Sequence, residues 1–451
     1  MKIPKILPAL GAFGAIAAGA IFATALQAGT VTLRISGVHS ATGNVVASLC
    51  GDAAAPFPGA CLSLGGMAPA RKGEVLLRIA NVANGTYAVQ AFHDENGDHR
   101  PQIPQEGFGF SNNTGFPTSY KAAAVQVKGN TEIALTMTYM LGVGTGRTGS
   151  PQAIAPVLPP GVAKVDLRED GLYGTLFMPD GNKDMPALVL IGGSEGGVDT
   201  ISLMATSFAA EGFATLALAY WNAPGLPQSL ENIPLEYFDR AIAWLRAQPH
   251  VAGIGMLGWS RGSEAALLIA ASNPAIRAVV GVAPSSVVWP GLNFRSMAAK
   301  QPAWTLRGFP LPAVAIDSSG FSTKDPLAAM FSRSFPELDQ HPEAVIAVER
   351  IHGGVLLISG GADRIWPAMR FADRIGARLQ ATGFRHAYQH LYYPDAGHAV
   401  FVGAPQGPMA KAMAEATAYL GGTPEANAAA WADNWPRTLE FLRTQLQVAR
   451  P

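Results

Sequence analysis

Two stretches of the sequence carry a serine in the pattern Gly-x-Ser-x-Gly: GGSEG at 192–196 and GWSRG at 258–262. Each follows an apolar run that is typical of a β-strand. A serine on a tight turn between a strand and a helix is held out of the sheet, where it can act as a nucleophile if a histidine and a carboxylate lie beside it. Both serines are therefore candidates for nucleophilic catalysis, and the elements around them must decide between them.

From Val162 onward, dense apolar runs alternate with stretches of helical periodicity. The runs are too uniformly apolar for a sheet with one wet face, so they favour parallel strands that are covered on both sides. A hairpin formed by KVDLRE and LYGTLFMP opens this part. We predict helices at 199–210, 235–248, 261–272 and 366–380. This alternation predicts an α/β fold with a mostly parallel, doubly wound sheet.

The strand count selects Ser260. In an α/β-hydrolase fold the nucleophile follows the fifth strand, the acid the seventh and the histidine the eighth, in the chain order serine, acid, histidine. With the hairpin as strands one and two, these places fall on Ser260, Asp363 and His398. If Ser194 were the nucleophile, a serine would stand where the acid is required. We predict that Ser260 is the nucleophile, Asp363 the acid and His398 the base.

The predicted base and acid also have simpler interpretations. His398 fits a hydrogen-bonded core residue, and Asp363 fits a helix N-cap, so the constellation and not either residue alone favours catalysis. Asp395, three residues before His398, is a rival acid that we expect instead to hold the histidine loop. The remaining candidate histidines are expected to be surface or structural residues: His352, His386 and His390.

The first serine motif follows strand three, in the loop that supplies one backbone N–H of an oxyanion hole in this fold. Glycines let the main chain of GGSEGG come close to a bound acyl group. We predict the N–H of Glu195 as the donor in this loop, with Ser194 as the alternative, and the N–H of Arg261 as the second donor. An ordinary strand-to-helix turn is the competing interpretation of this loop.

The region before Val162 has a different pattern. Six β-type runs separated by Gly, Asn and Pro predict a small antiparallel β-sandwich domain at 29–140. A Gly/Pro-rich linker follows at 141–161, and the catalytic domain covers 162–451. Within it, an aromatic-rich insertion at about 285–350 fits either a cap over an apolar acyl pocket or the ordinary packing of a long loop.

Within the first domain, HDENGDHR places Asp94, Asn96 and Asp98 at alternating positions, as a calcium loop does. His99 and Gln105, however, stand where an EF-type loop requires Gly and Glu. The favoured interpretation is a turn that joins two strands. We predict no metal site and no cofactor.

The N-terminal segment has lysines before an uncharged, Ala/Gly-rich run that ends in small residues. This pattern predicts a signal peptide at 1–28 and an exported protein, periplasmic or extracellular, with no stable membrane span after cleavage. An uncleaved anchor is the alternative, because the run is just long enough to span a bilayer. In an exported protein, Cys50 and Cys61 are expected to form one disulfide, and two unpaired thiols are the alternative.

The length and the net charge of the chain limit the number of domains and the classes of partner. A chain of 451 residues is too long for one ordinary core, which favours two domains. The formal net charge is zero and no run of Lys or Arg stands out, which argues against nucleic acid as a partner. We expect the partner of the catalytic domain to be a small-molecule acyl ester or thioester, whereas the partner of the β-domain stays open.

Several segments of the second domain match a known family: GLYGTLFMP, GGSEGG, ATLALAYW, IPLEYFDRAIAWL, GMLGWSRGSEAALL, LLISGGADRIWP and YPDAGH. Over about 160–445 the chain resembles the catalytic domain of the acyl-CoA thioesterase and bile acid-CoA:amino acid N-acyltransferase family. The resemblance implies an α/β-hydrolase that forms an acyl-enzyme from a thioester, with Ser260, Asp363 and His398 in the catalytic positions. Members that conjugate amino acids use a cysteine nucleophile and the hydrolases use serine, so hydrolysis is implied.

The chain departs from this family in two ways. Its better-known members are intracellular and carry an immunoglobulin-like domain, whereas AFHDENGD and EGFGFSNN resemble an uncharacterised family of secreted bacterial β-domains. The resemblance therefore supports the chemistry of the site, whereas it does not identify the leaving group. A secreted carboxylesterase or dienelactone-hydrolase-like enzyme is one alternative, and a binding protein with a vestigial hydrolase domain is another.

Overall fold

The computed structural model describes residues 28–53, 57, 64–95, 97, 99, 106–114, 120–139, 157–293, 301–317, 319, 326–400 and 417–446. The predicted signal peptide up to residue 27, most of the predicted linker and Cys61 lie outside these residues. Among the described residues, none of the helices has the length and apolar character needed to cross a membrane.

The first part of the chain is built from short strands. They are β1 (Ala28–Val38), β2 (Asn44–Cys50), β3 (Leu64–Pro69), β4 (Gly73–Ala83), β5 (Gly85–Asp94), β6 (Phe108–Phe110), β7 (Ala124–Val127) and β8 (Thr131–Thr136). A short helix, α1 (Tyr120–Ala123), precedes β7, and a 3-10 turn covers Ser111–Asn113.

These strands form two sheets that face each other. One has the order β4-β1-β8, and the other has the order β3-β2-β5-β6, with β7 paired to β5. Alternate residues of β1, namely Val31, Leu33 and Ile35, are fully buried in the core between the sheets, because successive side chains of a strand point to opposite faces. The predicted sandwich is confirmed. One pair differs from the antiparallel expectation, since β8 runs parallel to β1.

The second part alternates strands and helices. Its strands are β9 (Val162–Leu167), β10 (Tyr173–Pro179), β11 (Met185–Ile191), β12 (Ala214–Ala219), β13 (Ile233–Pro234), β14 (Val251–Trp259), β15 (Ile276–Val282), β16 (Trp304–Leu306), β17 (Phe309–Pro310), β18 (Gly354–Gly360) and β19 (Tyr388–Tyr393). Its helices are α2 (Asp199–Ala210), α3 (Leu235–Arg246), α4 (Arg261–Ser272), α5 (Ala328–Arg333), α6 (Ala368–Ala381), α7 (Thr417–Leu420) and α8 (Pro424–Gln445). Three 3-10 turns lie before β18, at Phe335–Gln340, Pro342–Ala344 and Val348–Arg350.

The main sheet has the order β9-β10-β12-β11-β14-β15-β18-β19. The pairs from β12 to β19 are parallel, and β10 runs antiparallel to both β9 and β12. Every residue of β11, β12 and β18 is buried, as strands covered by helices on both faces require. The predicted α/β-hydrolase fold and its strand count are confirmed. The carboxyl ends of β11, β14, β18 and β19 therefore meet at one edge of the sheet.

Helix α8 was not predicted. It begins with a capping arrangement in which the Thr423 side chain accepts a hydrogen bond from the Ala426 N–H, and Pro424 occupies the first helical position. Its buried residues include Trp431 and Leu442, which pack into the core on one side of the sheet.

The aromatic residues of the insertion divide into two groups. Trp289 and Trp304 are fully buried in the core, whereas Phe309 is exposed. Phe294 and Phe321 lie outside the described residues. The choice between a cap and a packed loop therefore stays a prediction for this insertion.

Candidate active site

Ser260 lies on the tight turn between β14 and α4. Its backbone has φ 57° and ψ −123°, a combination that costs energy for a residue with a side chain and marks a strained elbow. The two motif glycines make the turn possible. A Cβ at Gly258 would overlap the carbonyl oxygen of Gly262, and one at Gly262 would overlap that of Gly192.

A chain of hydrogen bonds joins Ser260 to two residues from distant parts of the sequence. His398 Nε2 is 2.9 Å from Ser260 Oγ, and His398 Nδ1 is 2.8 Å from Asp363 Oδ2. The His398 and Asp363 side chains are 3% and 1% exposed. Since a carboxylate only accepts hydrogen bonds, Nδ1 carries the proton and Nε2 is left to accept one from the serine hydroxyl.

The other oxygen of Asp363 is held by the backbone. Its Oδ1 accepts hydrogen bonds from the N–H groups of Ile365 (2.8 Å) and Trp366 (3.2 Å). Asp363 thus fixes the turn after β18, but it is not the N-cap of α6 that one interpretation of the sequence proposed, since that position is held by Pro367. Both oxygens are engaged, so the carboxylate has little freedom to rotate.

The loop that carries His398 is fixed by α8. The backbone N–H of Gly397 donates to Asn427 Oδ1 at 2.8 Å, and Asn427 is fully buried. The His398 N–H donates to the Leu420 carbonyl (2.8 Å), while Trp259 Nε1 donates to the His398 carbonyl (3.2 Å). The sequence analysis did not identify Asn427. This residue lies on α8, and the helix itself was not predicted, so a polar side chain facing the core at this position could not be recognised.

The rival residues lie in other surroundings. Asp395 is exposed, and His398 Nδ1 donates its hydrogen bond to Asp363 instead. His352 and His386 are exposed, whereas His390 Nε2 lies 2.7 Å from Ser359 Oγ on the neighbouring strand. These positions agree with the surface and structural roles expected for the three histidines.

The loop after β11 approaches Ser260 closely. A Cβ at Gly193 would lie only 2.9 Å from the Ser260 Cβ. Two side chains hold the carbonyl groups of this loop: the Tyr220 hydroxyl donates to the Gly192 oxygen at 2.8 Å, and Trp221 Nε1 donates to the Gly193 oxygen at 3.2 Å. These two hydrogen bonds fix the orientation of the peptide groups in the loop beside Ser260.

One anionic group already faces N–H groups of this loop. The Glu195 carboxyl accepts the Gly193 N–H with both oxygens, at 2.9 and 3.0 Å, and also interacts with its own N–H. Although the residue is only partly buried, its carboxyl group is enclosed. Burial raises the pKa of Glu195 to about 7, and the loop N–H groups and nearby His398 offset part of this rise. The sequence prediction concerned only the main chain of Glu195, and it did not anticipate this side-chain position. Ser194 lies in the same turn and is partly exposed.

Arg261 points its side chain into the core. Its guanidinium forms a buried ion pair with Glu264 at 3.4 Å, and Nη2 donates to the Trp289 carbonyl at 3.1 Å. Glu264 also accepts from Trp304 Nε1 at 2.6 Å, and burial raises its pKa. The backbone N–H of Arg261 belongs to the first turn of α4, where N–H groups lack acceptors within the helix. N–H groups in the first turn of a helix can stabilise a negative charge, which is the basis of the prediction for Arg261.

The chain was compared with known proteins. Residues 233–448 match the family described as "BAAT / Acyl-CoA thioester hydrolase C terminal", and residues 33–134 match a family described as "Uncharacterized protein conserved in bacteria". The second match accounts for most of the sandwich.

Among individual proteins, the chain is 33% identical over 297 residues to acyl-coenzyme A thioesterase 2, mitochondrial, of Mus musculus, covering 64% of this chain and 62% of that protein. It is also 33% identical to acyl-coenzyme A thioesterase 1 of Homo sapiens, covering 64% of this chain and 67% of that protein. The chain thus spans less than two thirds of the length of the mouse relative.

Solved structures show the same kind of likeness at lower identity. A dienelactone hydrolase from Anabaena variabilis is 15% identical, with a TM-score of 0.32, covering 63% of this chain and 98% of that one. An esterase/lipase from an uncultured bacterium is 16% identical, with a TM-score of 0.39, covering 65% of this chain and 88% of that one.

Proposed function

Because the chain belongs to the BAAT/acyl-CoA thioester hydrolase C-terminal family, we propose that it is a serine hydrolase that cleaves acyl thioesters or esters of small molecules. The observation that carries this proposal is the continuous hydrogen-bond chain from Ser260 through His398 to Asp363. Three side chains with these donor and acceptor roles are what nucleophilic acyl transfer requires.

The proposed reaction begins when Ser260 Oγ attacks the carbonyl carbon of the substrate. His398 Nε2 takes the hydroxyl proton, and Asp363 keeps the imidazole oriented and stabilises its charged form. Collapse of the tetrahedral intermediate expels the thiol or alcohol, which takes the proton from His398. Water then attacks the acyl-enzyme with His398 again as the base, which releases the acid and restores Ser260.

The oxyanion of each intermediate would be stabilised by the N–H of Arg261 and by the loop after β11. The sequence-based prediction for the loop donor is Glu195, and the close approach of Gly193 to Ser260 makes its N–H a further candidate. Removal of one such donor typically costs about 3–4 kcal/mol of transition-state stabilisation. The Glu195 carboxyl must leave these N–H groups before a substrate oxygen can use them.

Labelling with a fluorophosphonate probe tests the catalytic serine directly. The purified full-length chain should be labelled at one serine, and peptide mapping should identify Ser260. No labelling of the folded wild-type chain would support the alternative of a binding protein with a vestigial hydrolase domain, and it would reject the proposal.

The leaving group needs a separate test. A matched pair of substrates with the same acyl chain, one a thioester and the other an oxygen ester, should be compared by kcat/KM. The family resemblance favours the thioester. Faster cleavage of the oxygen ester would instead support the carboxylesterase or dienelactone-hydrolase-like alternative, with the same three residues in use.

The acyl acceptor is proposed to be water. A serine ester is less activated toward amines than a thioester is, so an acyl-Ser260 intermediate is left mainly to hydrolysis. An acyl thioester supplied with excess glycine or taurine should therefore yield free acid, with negligible amide. Amide as the main product would overturn the hydrolase assignment even if Ser260 proved to be the nucleophile.

We also propose that the protein is exported and that Cys50 pairs with Cys61. Cys50 ends β2 and is buried, whereas Cys61 lies outside the described residues. Closing a loop of about ten residues would stabilise the sandwich by roughly 2–3 kcal/mol. Mass spectrometry of protein recovered from the exported fraction should find the disulfide and a chain cleaved after the signal peptide. Two free thiols would reject the pairing, and an intact N-terminus would favour the anchor.

A further inference from the structure

A second cluster of polar side chains lies in the sandwich, on residues that the proposed hydrolase reaction does not use. His39 follows β1, His93 lies near the end of β5, and Glu95 comes just after that strand. One nitrogen or oxygen atom from each of these three side chains lies within 4.8 Å of the other two. The cluster joins the two sheets, because β1 and β5 belong to different ones.

The atoms face one another at distances typical of ligands around one ion. Glu95 Oε1 is 3.0 Å from His39 Nε2 and 3.4 Å from His93 Nδ1. The ring of His93 is fixed by its other nitrogen, since Nε2 lies 2.8 Å from the Thr42 carbonyl oxygen and must donate to it. This tautomer leaves Nδ1 with a lone pair, at 3.4 Å from Glu95 Oε1. Metal-ligating histidines are commonly oriented in this way.

Hydrogen bonds among the described residues satisfy only part of the cluster. Glu95 is 3% exposed, yet within the described part of the chain its Oε2 has no hydrogen-bond partner, and neither ring nitrogen of His39 has a partner there with hydrogen-bond geometry. A buried carboxylate oxygen without a partner costs free energy that a protein normally avoids. A cation among the three side chains would satisfy these atoms together.

We propose that His39, His93 and Glu95 bind one divalent transition-metal ion, with Zn²⁺ the best fit. Two imidazoles and a carboxylate are zinc ligands, whereas Ca²⁺ and Mg²⁺ prefer all-oxygen sites. Glu95 is further positioned by Ser40, whose hydroxyl donates to Oε1 at 2.9 Å. The His39 side chain is 30% exposed, so the cluster lies near the surface of the sandwich, although the ring nitrogens themselves are buried.

Tyr139 lies beside the three proposed ligands but is not one of them. Its hydroxyl is 2.7 Å from His93 Nδ1, and burial raises its pKa well above the ordinary range, so it stays protonated. In the metal-free state it donates to Nδ1.

Such an ion would cross-link the two sheets of the sandwich. Binding only to the folded state stabilises that state in proportion to the logarithm of the ion concentration above Kd. Zn²⁺ should therefore raise the unfolding temperature of the full-length chain after treatment with a chelator, and Ca²⁺ at the same concentration should not.

The direct test measures metal content and affinity. The full-length chain, stripped with EDTA, is titrated with ZnSO₄ by calorimetry and analysed by elemental mass spectrometry. We expect one equivalent per chain, and at least a tenfold loss of affinity in His39→Ala and in Glu95→Gln. His99→Ala is the matched control, because His99 is a nearby exposed histidine that pairs with Asp94 instead.

Two results would overturn the proposal. One is absence of zinc binding by the wild-type chain, or equal binding by the wild type, His39→Ala and Glu95→Gln, with folding of the variants verified by circular dichroism. The other is X-ray absorption that shows sulfur in the coordination sphere, since this would assign the zinc to Cys50 and Cys61. Nitrogen and oxygen ligands at about 2.0–2.1 Å are expected.

Discussion

The backbone N–H of Gly193 donates to both oxygens of the Glu195 carboxyl, beside Ser260. This carboxyl therefore occupies N–H groups of the loop that we propose to hold the substrate oxyanion. Its pKa is raised to about 7 by burial, so its charge changes within the physiological pH range.

Replacing Glu195 by Gln should change how stability depends on pH. Between about pH 4.5 and pH 7 the folded wild type keeps a proton on Glu195 that the unfolded chain releases. The free energy of unfolding of the wild type should therefore fall with rising pH in this window. The slope is about 1.4 kcal/mol per pH unit where the folded state holds the whole proton and the unfolded state holds none. Glu195→Gln has no carboxyl group at this position and should not lose stability in this way. The free energy of unfolding of the variant, relative to the wild type, should therefore rise by on the order of 1–3 kcal/mol between about pH 4.5 and pH 7 and stay constant above pH 7.

Urea unfolding of both proteins at a series of pH values measures this difference. Glu337→Gln, at an exposed position, is the control and should differ from the wild type by a constant amount. A stability difference for Glu195→Gln that is constant across the window would show that the carboxyl group is not buried as described.

Replacing either of the two motif serines by alanine should have unequal effects on activity. Ser260→Ala should abolish both turnover and probe labelling, because it removes the nucleophile, while the unfolding transition stays close to that of the wild type. Ser194→Ala is the matched control and should reduce kcat/KM only modestly, because the proposed contribution of its loop is main chain. An inactive Ser194→Ala together with an active Ser260→Ala would reverse the assignment.

The two candidate acids can be distinguished in the same way. Asp363→Asn should lower kcat by several orders of magnitude, on the order of 10⁴, because the amide no longer holds the required imidazole tautomer. Asp395→Asn should remain close to wild type, since Asp395 is exposed. The measurement is steady-state kinetics on one thioester. If Asp395→Asn were the crippling change, the acid would have to be reassigned.

Tyr220 is expected to act on the rate through the loop it holds. Tyr220→Phe removes the hydroxyl that donates to the Gly192 carbonyl, so the loop N–H groups lose a positional constraint. We expect kcat to fall about tenfold with little change in KM, which is less than the loss of a whole oxyanion donor.

Tyr237→Phe provides the comparison for Tyr220→Phe. The Tyr237 hydroxyl is also buried and donates to a backbone carbonyl, that of Ala219, outside the loop. Both variants should lose about 1–2 kcal/mol of stability, but Tyr237→Phe should keep the wild-type kcat. Equal kcat values for the two variants would mean that Tyr220 has only a structural role.

The main sheet was predictable because its strands are long apolar runs with clear boundaries, and Ser260 could be chosen by counting them. Strands β3 and β6 were missed for the opposite reason. β3 contains two glycines and no β-branched residue, and β6 has only three residues, so neither carries a periodic signal. The helix that carries Asn427 begins with a readable cap, but its apolar residues do not form a simple stripe.

Side-chain contacts that depend on tertiary geometry could not be predicted from sequence patterns. Nothing in the local sequence indicates that the Glu195 side chain turns back onto Gly193, because this depends on the shape of the turn. The cluster of His39, His93 and Glu95 depends on the packing of two sheets. Such arrangements follow from tertiary geometry, whereas the order of Ser260, Asp363 and His398 follows from topology.

The hydrogen bond from Gly397 to Asn427 has a consequence for when the protein acquires its proposed activity. During synthesis, Ser260 and Asp363 emerge from the ribosome long before Asn427 does. Until that residue is added, nothing on α8 holds the histidine loop against the sheet. A nascent chain that stops short of α8 would lack this hydrogen bond to the histidine loop, and we expect the proposed hydrolase to become competent only after α8 has been translated.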